Sequence, residues 1–294
     1  MAGAATVNSR KRDMPTADTT NPSTTEPRAL IQEGFVWDAQ DAYLFDIDGT
    51  LLRSRDRIHF NSFASSVRDV TGIEISLNGV VLHGGTDTAI LREAFELAGV
   101  PAETWEHQVE AILDAMRQTV HARRGEMDLW TMPGVAETLA HLAGRGALLG
   151  LATGNLESIG WLKVEEVGLR EWFRFGGFSD RFAVRSEMIA DAAAQARELL
   201  LSHPSPNHPN DEDLSLGTQI ARRMGHPDSS QVTEKTICVV GDTPRDIEAA
   251  RVNGLPVIAV ATGNYSFGEL AALKPEVCAS SLADLLAETV VVGP

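Results

Sequence analysis

The sequence predicts an α/β fold: a Rossmann-like three-layer α/β/α core with a mainly parallel sheet, plus an inserted all-α segment. Short apolar runs that end in Asp, Thr, Asn or Gly alternate with helical patterns along most of the chain, which is typical of β/α units. Between the first and second of these runs, residues 59–123 carry helical periodicity alone. An all-helical stretch at that point predicts an insertion over the carboxyl ends of the strands.

The first apolar run, residues 43–45, leads directly into two carboxylates. Asp46 and Asp48 are two residues apart, so a strand places both side chains on one side, and Gly49 lets the backbone turn just beyond them. Two carboxylates in a small space require a cation or a retained proton, and both arrangements are typical of catalytic sites. A turn with solvated carboxylates is the alternative, whereas a calcium loop is excluded because Arg55 stands where its glutamate is required.

Composition limits the classes of partner. The chain has 294 residues, enough for one large domain or two ordinary ones, and a net charge of −16. This acidity argues against nucleic-acid binding, which needs a basic face. An anionic substrate would have to be attracted locally, by a metal and a few cations, against the negative field of the whole protein. Cys238 and Cys278 lie inside apolar runs, so we expect both to be buried and unpaired in a reducing compartment.

Location and domain organisation are predicted from the same sequence. No stretch is apolar enough to span a bilayer and the N-terminus lacks a secretory signal, so we expect a cytoplasmic protein without membrane contact. Residues 1–28 have almost no apolar content and are predicted to form a disordered tail, and residues 203–231 an irregular insertion. The core is predicted at 29–54 and 131–294, with a helical cap at 55–130. The sequence predicts no oligomeric state.

Three helices are predicted within the cap. Their apolar residues recur at helical spacing over 59–70, 86–98 and 103–123, the last as one continuous helix. Thr86 and Asp87 stand at the start of the second helix, after a pair of glycines, and are candidates for substrate specificity. Helix capping by these two residues is the alternative.

The second apolar run, residues 147–152, is followed by a possible phosphate site. Thr153, Gly154 and Asn155 offer a hydroxyl, a flexible backbone and an amide immediately before a helix, where free N–H groups can hold a phosphate oxygen. An ordinary strand-to-helix turn with Thr153 as the cap is the alternative. A further short strand is predicted at 173–178.

Two cations are candidates for the counter-charge of a bound phosphate. Arg185 precedes a helix predicted at 187–201, with Ser186 as its N-cap. Lys163 is the rival, although it lies in the middle of a predicted helix. For Arg185, a solvated surface charge is the alternative to a role at the site.

A third apolar run, residues 236–240, precedes two more carboxylates. Asp242 and Asp246 are four residues apart across a helix start that is marked by Pro244. A second Thr-Gly-Asn at 262–264 follows the next run, and we interpret it as an ordinary turn.

These side chains should meet, because the carboxyl ends of parallel strands lie at one edge of a sheet. Asp46, Asp242, a backbone carbonyl near Asp48 and water would give a set of oxygen donors that suits a small hard cation. Such a donor set beside a substrate phosphate indicates Mg²⁺.

Three motifs together carry a resemblance to a known family. Asp-x-Asp-Gly-Thr-Leu at 46–51, Thr-Gly-Asn at 153–155 and Gly-Asp-Thr-Pro-x-Asp at 241–246 resemble the haloacid dehalogenase superfamily, most closely its phosphoglycolate-phosphatase-like branch with a helical cap. The resemblance implies a covalent aspartyl-phosphate mechanism, with Asp46 as nucleophile and Asp48 as general acid and then base. The phosphate-binding residues that it implies are Thr153, Asn155 and Arg185. The Mg²⁺ site that it implies is formed by Asp46, Asp48, Asp242 and Asp246.

The expected function is that of a Mg²⁺-dependent phosphatase acting on a small phosphorylated metabolite of the phosphoglycolate or sugar-phosphate type. A phosphomutase of the β-phosphoglucomutase type and a non-catalytic binding protein on the same fold are the alternatives. Asp48 argues against dehalogenation, and the lack of lysine between Arg53 and Trp130 argues against phosphonate hydrolysis through a Schiff base. One departure from the family pattern is Arg185, where a lysine is usual.

Overall fold

The computed structural model describes residues 28–202, 235–287 and 291–293. The predicted tail at 1–28, apart from Arg28, and the predicted insertion at 203–231 lie outside these residues. The strands are β1 (Ala29–Gln32), β2 (Ala42–Phe45), β3 (Leu52–Ser54), β4 (Leu129–Thr131), β5 (Leu148–Ala152), β6 (Gly176–Gly177), β7 (Ile237–Gly241), β8 (Val257–Val260), β9 (Val277–Ala279) and β10 (Val291–Gly293). Eight of them form one sheet in the order β10-β1-β9-β8-β7-β2-β5-β6.

The main sheet is parallel except between β1 and β9, and β2 is an interior strand between β7 and β5. All four residues of β2 are buried. Tyr43 and Phe45 pack into one apolar cluster and Ala42 and Leu44 into another, because successive side chains of a strand point to opposite faces. A strand buried on both faces reads as a continuous apolar run, as the sequence of β2 does.

Helices cover both faces of the sheet. The helices are α1 (Ile58–Thr71), α2 (Asp87–Leu97), α3 (Ala102–Trp105), α4 (Val109–Ala122), α5 (Val135–Gly144), α6 (Glu157–Glu166), α7 (Arg185–Ser202), α8 (Pro244–Val252), α9 (Phe267–Ala272) and α10 (Leu282–Leu286). Apolar side chains of α5 and α10 pack on the face that carries Tyr43, and those of α7 and α8 on the opposite face. The predicted three-layer α/β/α class is confirmed.

A third apolar cluster belongs to the helical segment, α1 to α4, which lies between β3 and β4 along the chain. It also includes Ile159 and Leu162 of α6, so the helical segment packs on one helix of the core. The prediction of one continuous helix over 103–123 was wrong. Trp105 stacks on Phe95 with ring centroids 4.4 Å apart, and a 3₁₀ turn after it redirects the chain into α4.

Strands β3 and β4 join the helical segment to the core. They pair antiparallel, with Leu52 opposite Thr131 and Arg53 opposite Trp130. The chain therefore enters and leaves the helical segment at neighbouring positions. The exact boundaries of the two domains stay a prediction.

Two local predictions were wrong in extent. The strand expected at 173–178 is only the two-residue β6. Residues two apart share a face in a regular strand, but Phe173 lies in one apolar cluster and Phe175 in the other, so the chain before β6 is not a regular strand. Helix α7 begins at Arg185, so Ser186 lies inside the helix instead of capping it. Among the described residues, none of the helices combines the length and apolar character needed to cross a membrane.

Candidate active site

Three neighbouring strands deliver the predicted residues to one cavity. β2 pairs with β5 on one side and with β7 on the other, and Phe45 lies opposite both Leu151 and Val240. The residues that follow these strands therefore meet at the same edge of the sheet. The cavity at this edge has a volume of about 570 Å³ and is lined by Asp46, Asp48, Thr153, Asn155, Lys163, Arg185 and Asp242.

Asp46, Asp242 and Asp246 form a buried acidic cluster. One carboxylate oxygen of each lies within 4.8 Å of the others. Asp242 accepts a hydrogen bond from the Thr50 hydroxyl at 3.1 Å. Gly49 makes the approach possible, because it has φ +95° and a Cβ at this position would lie 2.5 Å from an Asp242 oxygen. Only glycine can occupy this turn without displacing Asp242.

Asp46 and Asp242 hold their protons more tightly than ordinary carboxylates. Burial raises the pKa of Asp46 to about 6, the Asp246 and Asp48 carboxylates add to the increase, and Arg185 opposes it. Burial also raises the pKa of Asp242 well above its usual value, with further contributions from Asp46 and Asp246. The cluster thus carries negative charge that Arg185 balances only in part.

Arg185 is buried between two members of the acidic cluster. Its Nη2 atom lies 2.6 Å from Asp246 Oδ1 and 3.1 Å from Asp46 Oδ1, and its Nε donates to the same Asp246 oxygen at 2.9 Å. The other Asp246 oxygen accepts from the backbone N–H and the hydroxyl of Thr243, in a capping box at the start of α8. Arg185 is therefore not a solvated surface charge, and binding of phosphate by it stays a prediction.

The donor set fits a divalent cation. When all three carboxylates are ionised, they and the guanidinium leave two negative charges, which a divalent cation would balance. Hard carboxylate oxygens are the ligands that Mg²⁺ prefers. Both oxygens of Asp246 are already hydrogen-bonded, so Asp46 and Asp242 have the freer oxygens in the cluster. Asp246 is better placed to orient Arg185 and the start of α8.

Asp48 lies in the same cavity but outside the acidic cluster. Its side chain is 46% exposed, and its oxygens lie 2.8 Å and 2.7 Å from Lys163 Nζ. Partial desolvation in the cavity alone would raise the pKa of Asp48, but attraction to Lys163 and hydrogen bonds from Lys163 and Asn155 hold that pKa below its usual value. The structure does not bring the Asp48 carboxylate to the acidic cluster, so its predicted role as a metal ligand now rests on its backbone carbonyl.

The two candidate cations, Arg185 and Lys163, contact different carboxylates. Arg185 contacts Asp46 and Asp246, whereas Lys163, which is buried in α6, contacts Asp48. Which of them meets a bound phosphate stays a prediction.

The Thr153 loop is held by its own side chains and by the helical segment. Asn155 Nδ2 donates to Thr153 Oγ1 and to Asp48 Oδ2, both at 2.8 Å. The carbonyl of Gly154 accepts from the Asp87 N–H at 2.7 Å, and a Cβ on Gly154 would lie 2.0 Å from the Gly85 carbonyl oxygen. Thr153 does not cap α6, whose N-cap is Leu156. Phosphate binding by Thr153 and Asn155 stays a prediction.

Sequence reasoning missed the contribution of residues 262–264, which it treated as an ordinary turn. The Thr262 hydroxyl donates to the Gly49 carbonyl at 2.6 Å, and the Gly263 carbonyl accepts from Arg53 at 2.5 Å. Asn264 reaches His83 of the helical segment at 2.8 Å. These contacts arise because β8 lies next to β7 and ends at the same edge of the sheet, an adjacency that the local sequence does not show.

Residues 40–254 match the family model described as haloacid dehalogenase-like hydrolase. The chain belongs to this family. The family membership predicted from the three motifs is thereby confirmed. The protein is a hydrolase.

Curated relatives of this haloacid dehalogenase-like hydrolase include named phosphatases. A probable phosphatase, IndB, from Dickeya dadantii is 25% identical over 248 residues, which cover 83% of this chain and 90% of the relative. A phosphoglycolate phosphatase from Salmonella typhi is 25% identical over 257 residues, which cover 82% of this chain and 89% of the relative.

Solved structures support the fold of the hydrolase. A hydrolase from Pseudomonas syringae has a TM-score of 0.53 at 18% identity, covering 84% of this chain and 96% of that one. A predicted phosphatase from Clostridium acetobutylicum has a TM-score of 0.50 at 21% identity, covering 81% and 93%. At these identities the likeness concerns the fold alone.

Proposed function

We propose that this hydrolase is a Mg²⁺-dependent phosphatase that acts on a small phosphorylated metabolite of the phosphoglycolate or sugar-phosphate type, through an aspartyl-phosphate intermediate. One observation carries the proposal: two carboxylates of one cavity have different electrostatic environments. Asp46 lies in the acidic cluster and contacts Arg185, whereas Asp48 contacts Lys163. Separate environments are what a nucleophile and an acid–base residue need. The names of the curated relatives point to the same chemistry.

Asp46 would act as the nucleophile. Its carboxylate oxygen forms a bond to phosphorus while the bond from phosphorus to the leaving oxygen breaks. The leaving oxygen keeps the electron pair of the broken bond and accepts a proton from Asp48. In the second step Asp48 accepts a proton from water, the water oxygen attacks the phosphorus, and the bond to Asp46 breaks to release phosphate. Mg²⁺, held by Asp46 and Asp242, would neutralise charge on the phosphoryl oxygens.

Asp48 must carry a proton in the first step although Lys163 lowers its pKa. An incoming phosphate dianion repels a second negative charge and so raises the pKa of a nearby carboxyl. Substrate binding itself would therefore favour the protonated form of Asp48. Once the leaving group has departed, attraction to Lys163 favours the carboxylate that accepts a proton from water.

The test is phosphate release from a panel of phosphorylated metabolites, with Mg²⁺ and with EDTA. We expect turnover of at least one small phosphomonoester with Mg²⁺ and its loss with EDTA. Isomerisation of a sugar phosphate without free phosphate would replace the proposal by a phosphomutase. Binding of metabolites without any turnover would indicate a protein that has only the fold of the enzyme.

Arg53 is the candidate for recognising the leaving group. It lines the cavity, and its guanidinium contacts the Gly263 carbonyl but no carboxylate among the described residues. Such an arginine is suited to a second anionic group on the substrate. We expect Arg53→Gln to lower kcat/KM for 2-phosphoglycolate about tenfold, as loss of one charge-assisted contact would.

The matched substrate for this prediction is 2-hydroxyethyl phosphate, which has a neutral hydroxymethyl group where 2-phosphoglycolate has its carboxylate. Arg53→Gln should leave the kcat/KM for this substrate within about threefold of wild type. An equal loss on both substrates would assign Arg53 to holding the Gly263 loop instead of recognising the substrate.

A further inference from the structure

A chain of hydrogen bonds runs from Asp48 into the helical segment. Lys163 Nζ contacts Asp48, and it also lies 3.2 Å from His59 Nδ1. His59 Nε2 lies 3.0 Å from Asp87 Oδ2. Lys163 and Asp87 are buried, and the His59 side chain is only 16% exposed. The proposed acid–base residue is thus linked to two side chains of the helical segment through one lysine.

The donors and acceptors of this chain fit one arrangement of protons. A lysine ammonium has three N–H donors and no acceptor. Lys163 has three partners: Asp48, Asn155 Oδ1 at 2.7 Å, and His59 Nδ1. His59 Nδ1 must therefore accept, which leaves the proton of the neutral ring on Nε2, facing Asp87. One tautomer of His59 satisfies the whole chain.

This chain of hydrogen bonds also joins the helical segment to the α/β core. His59 lies on α1 and Asp87 on α2, whereas Lys163 and Asp48 belong to the α/β core. The same Asp87 oxygen accepts from the Leu156 N–H at 2.8 Å, so the carboxylate binds the core directly as well. The environment of Lys163 is complete only when the helical segment lies against the core.

We propose that His59 and Asp87 are positioning residues, which orient Lys163 against Asp48 and so tie the acid–base step to the seating of the helical segment. The inference rests on the proposed function, because it assigns the acid–base step to Asp48. Lysine is a flexible point donor whose ammonium turns freely. His59 Nδ1, fixed by the contact of the ring with Asp87, is a third acceptor that restricts this freedom. The other two N–H groups then stay directed at Asp48 and Asn155.

The test compares leaving groups in His59→Leu and His59→Gln. An alkyl phosphate needs a proton from Asp48 as it leaves, whereas p-nitrophenolate leaves without one. We expect His59→Leu to lower kcat/KM about 10- to 100-fold for the alkyl phosphate and less than about threefold for p-nitrophenyl phosphate. His59→Gln, which can still accept from Lys163 and donate to Asp87, should recover much of the loss. Equal losses on both substrates would overturn the proposal.

Arg117→Gln is the matched control. Arg117 of α4 bonds Asp180 Oδ1 at 2.7 Å, and Asp180 Oδ2 accepts the N–H at the start of α6. This contact joins the same two parts of the molecule without touching Lys163. Arg117→Gln should leave the ratio of the two kcat/KM values unchanged. If it changes that ratio as His59→Leu does, loose docking of the helical segment explains the effect and the positioning role is wrong.

A second measurement does not depend on turnover. In the full chain with ¹⁵N-labelled histidine, the imidazole shifts should show His59 protonated at Nε2 and unprotonated at Nδ1. Asp87→Asn should disturb this pattern, and Arg117→Gln should not. A protonated Nδ1 in wild type would overturn the inference even in an active enzyme. The predicted tautomer in a protein that hydrolyses no phosphate would support the chain of hydrogen bonds and reject the proposed function alone.

Discussion

Asp46→Asn is expected to lower kcat for phosphate release at least about 10⁴-fold, which is the scale of loss when a nucleophile is removed. An amide oxygen is a poor nucleophile, and the neutral amide also replaces one of the two carboxylates of the acidic cluster that have the freer oxygens. The measurement is phosphate release at saturating Mg²⁺ and substrate. Residual activity above about a tenth of wild type would place the nucleophile elsewhere.

The fold should survive this substitution. Asparagine has nearly the volume of aspartate, and the pKa of Asp46, raised to about 6 by burial, means that the ionised carboxylate is itself costly at this position. Arg185 keeps its contacts with Asp246. We expect the melting temperature of the metal-free variant to stay within a few degrees of wild type. Asp69→Asn, at an exposed carboxylate on α1, serves as the control and should retain full activity.

Much of the core could be predicted because its signals are local. β2 is buried on both faces, so its sequence is a continuous apolar run, and the turn beyond it requires Gly49. The residues after β2, β5 and β7 could be placed together because parallel strands end at one edge. The meeting of Asp46, Asp242 and Asp246 at this edge could therefore be predicted from the order of the motifs.

Which carboxylate each cation contacts could not be predicted. Lys163 lies in the middle of α6, and nothing in the local pattern shows that it reaches Asp48, 115 residues earlier. His59 and Asp87 likewise meet only in the folded helical segment, and neither local pattern predicts their contact. The second Thr-Gly-Asn is a turn, as predicted, but its contacts with Gly49 and Arg53 depend on β8 lying next to β7. Contacts between distant segments decide each of these cases.

Arg185→Met is expected to cause the largest loss of stability. The substitution leaves Asp46 and Asp246 buried without their cation. Removing one partner of a buried ion pair costs about 3–5 kcal/mol, because the remaining charge has no compensation. We expect a loss of this size in the free energy of unfolding, measured by urea denaturation with EDTA at about pH 8. Arg181→Met, at a side chain that is 71% exposed, should cost less than about 1 kcal/mol.

The loss should depend on pH and on Mg²⁺. Arg185 lowers the pKa of Asp46, so in its absence that pKa rises above about 6. A carboxyl whose pKa is higher in the folded than in the unfolded state stabilises the fold when it is protonated, and this contribution disappears as the pH rises through the higher pKa. The deficit of Arg185→Met should therefore be smaller at about pH 5 than at about pH 8, and Mg²⁺ should reduce it at about pH 8 by neutralising the same carboxylates. A deficit that is equal at both pH values and insensitive to Mg²⁺ would mean that Arg185 acts by packing, and that the acidic cluster carries no excess charge for a divalent ion to balance.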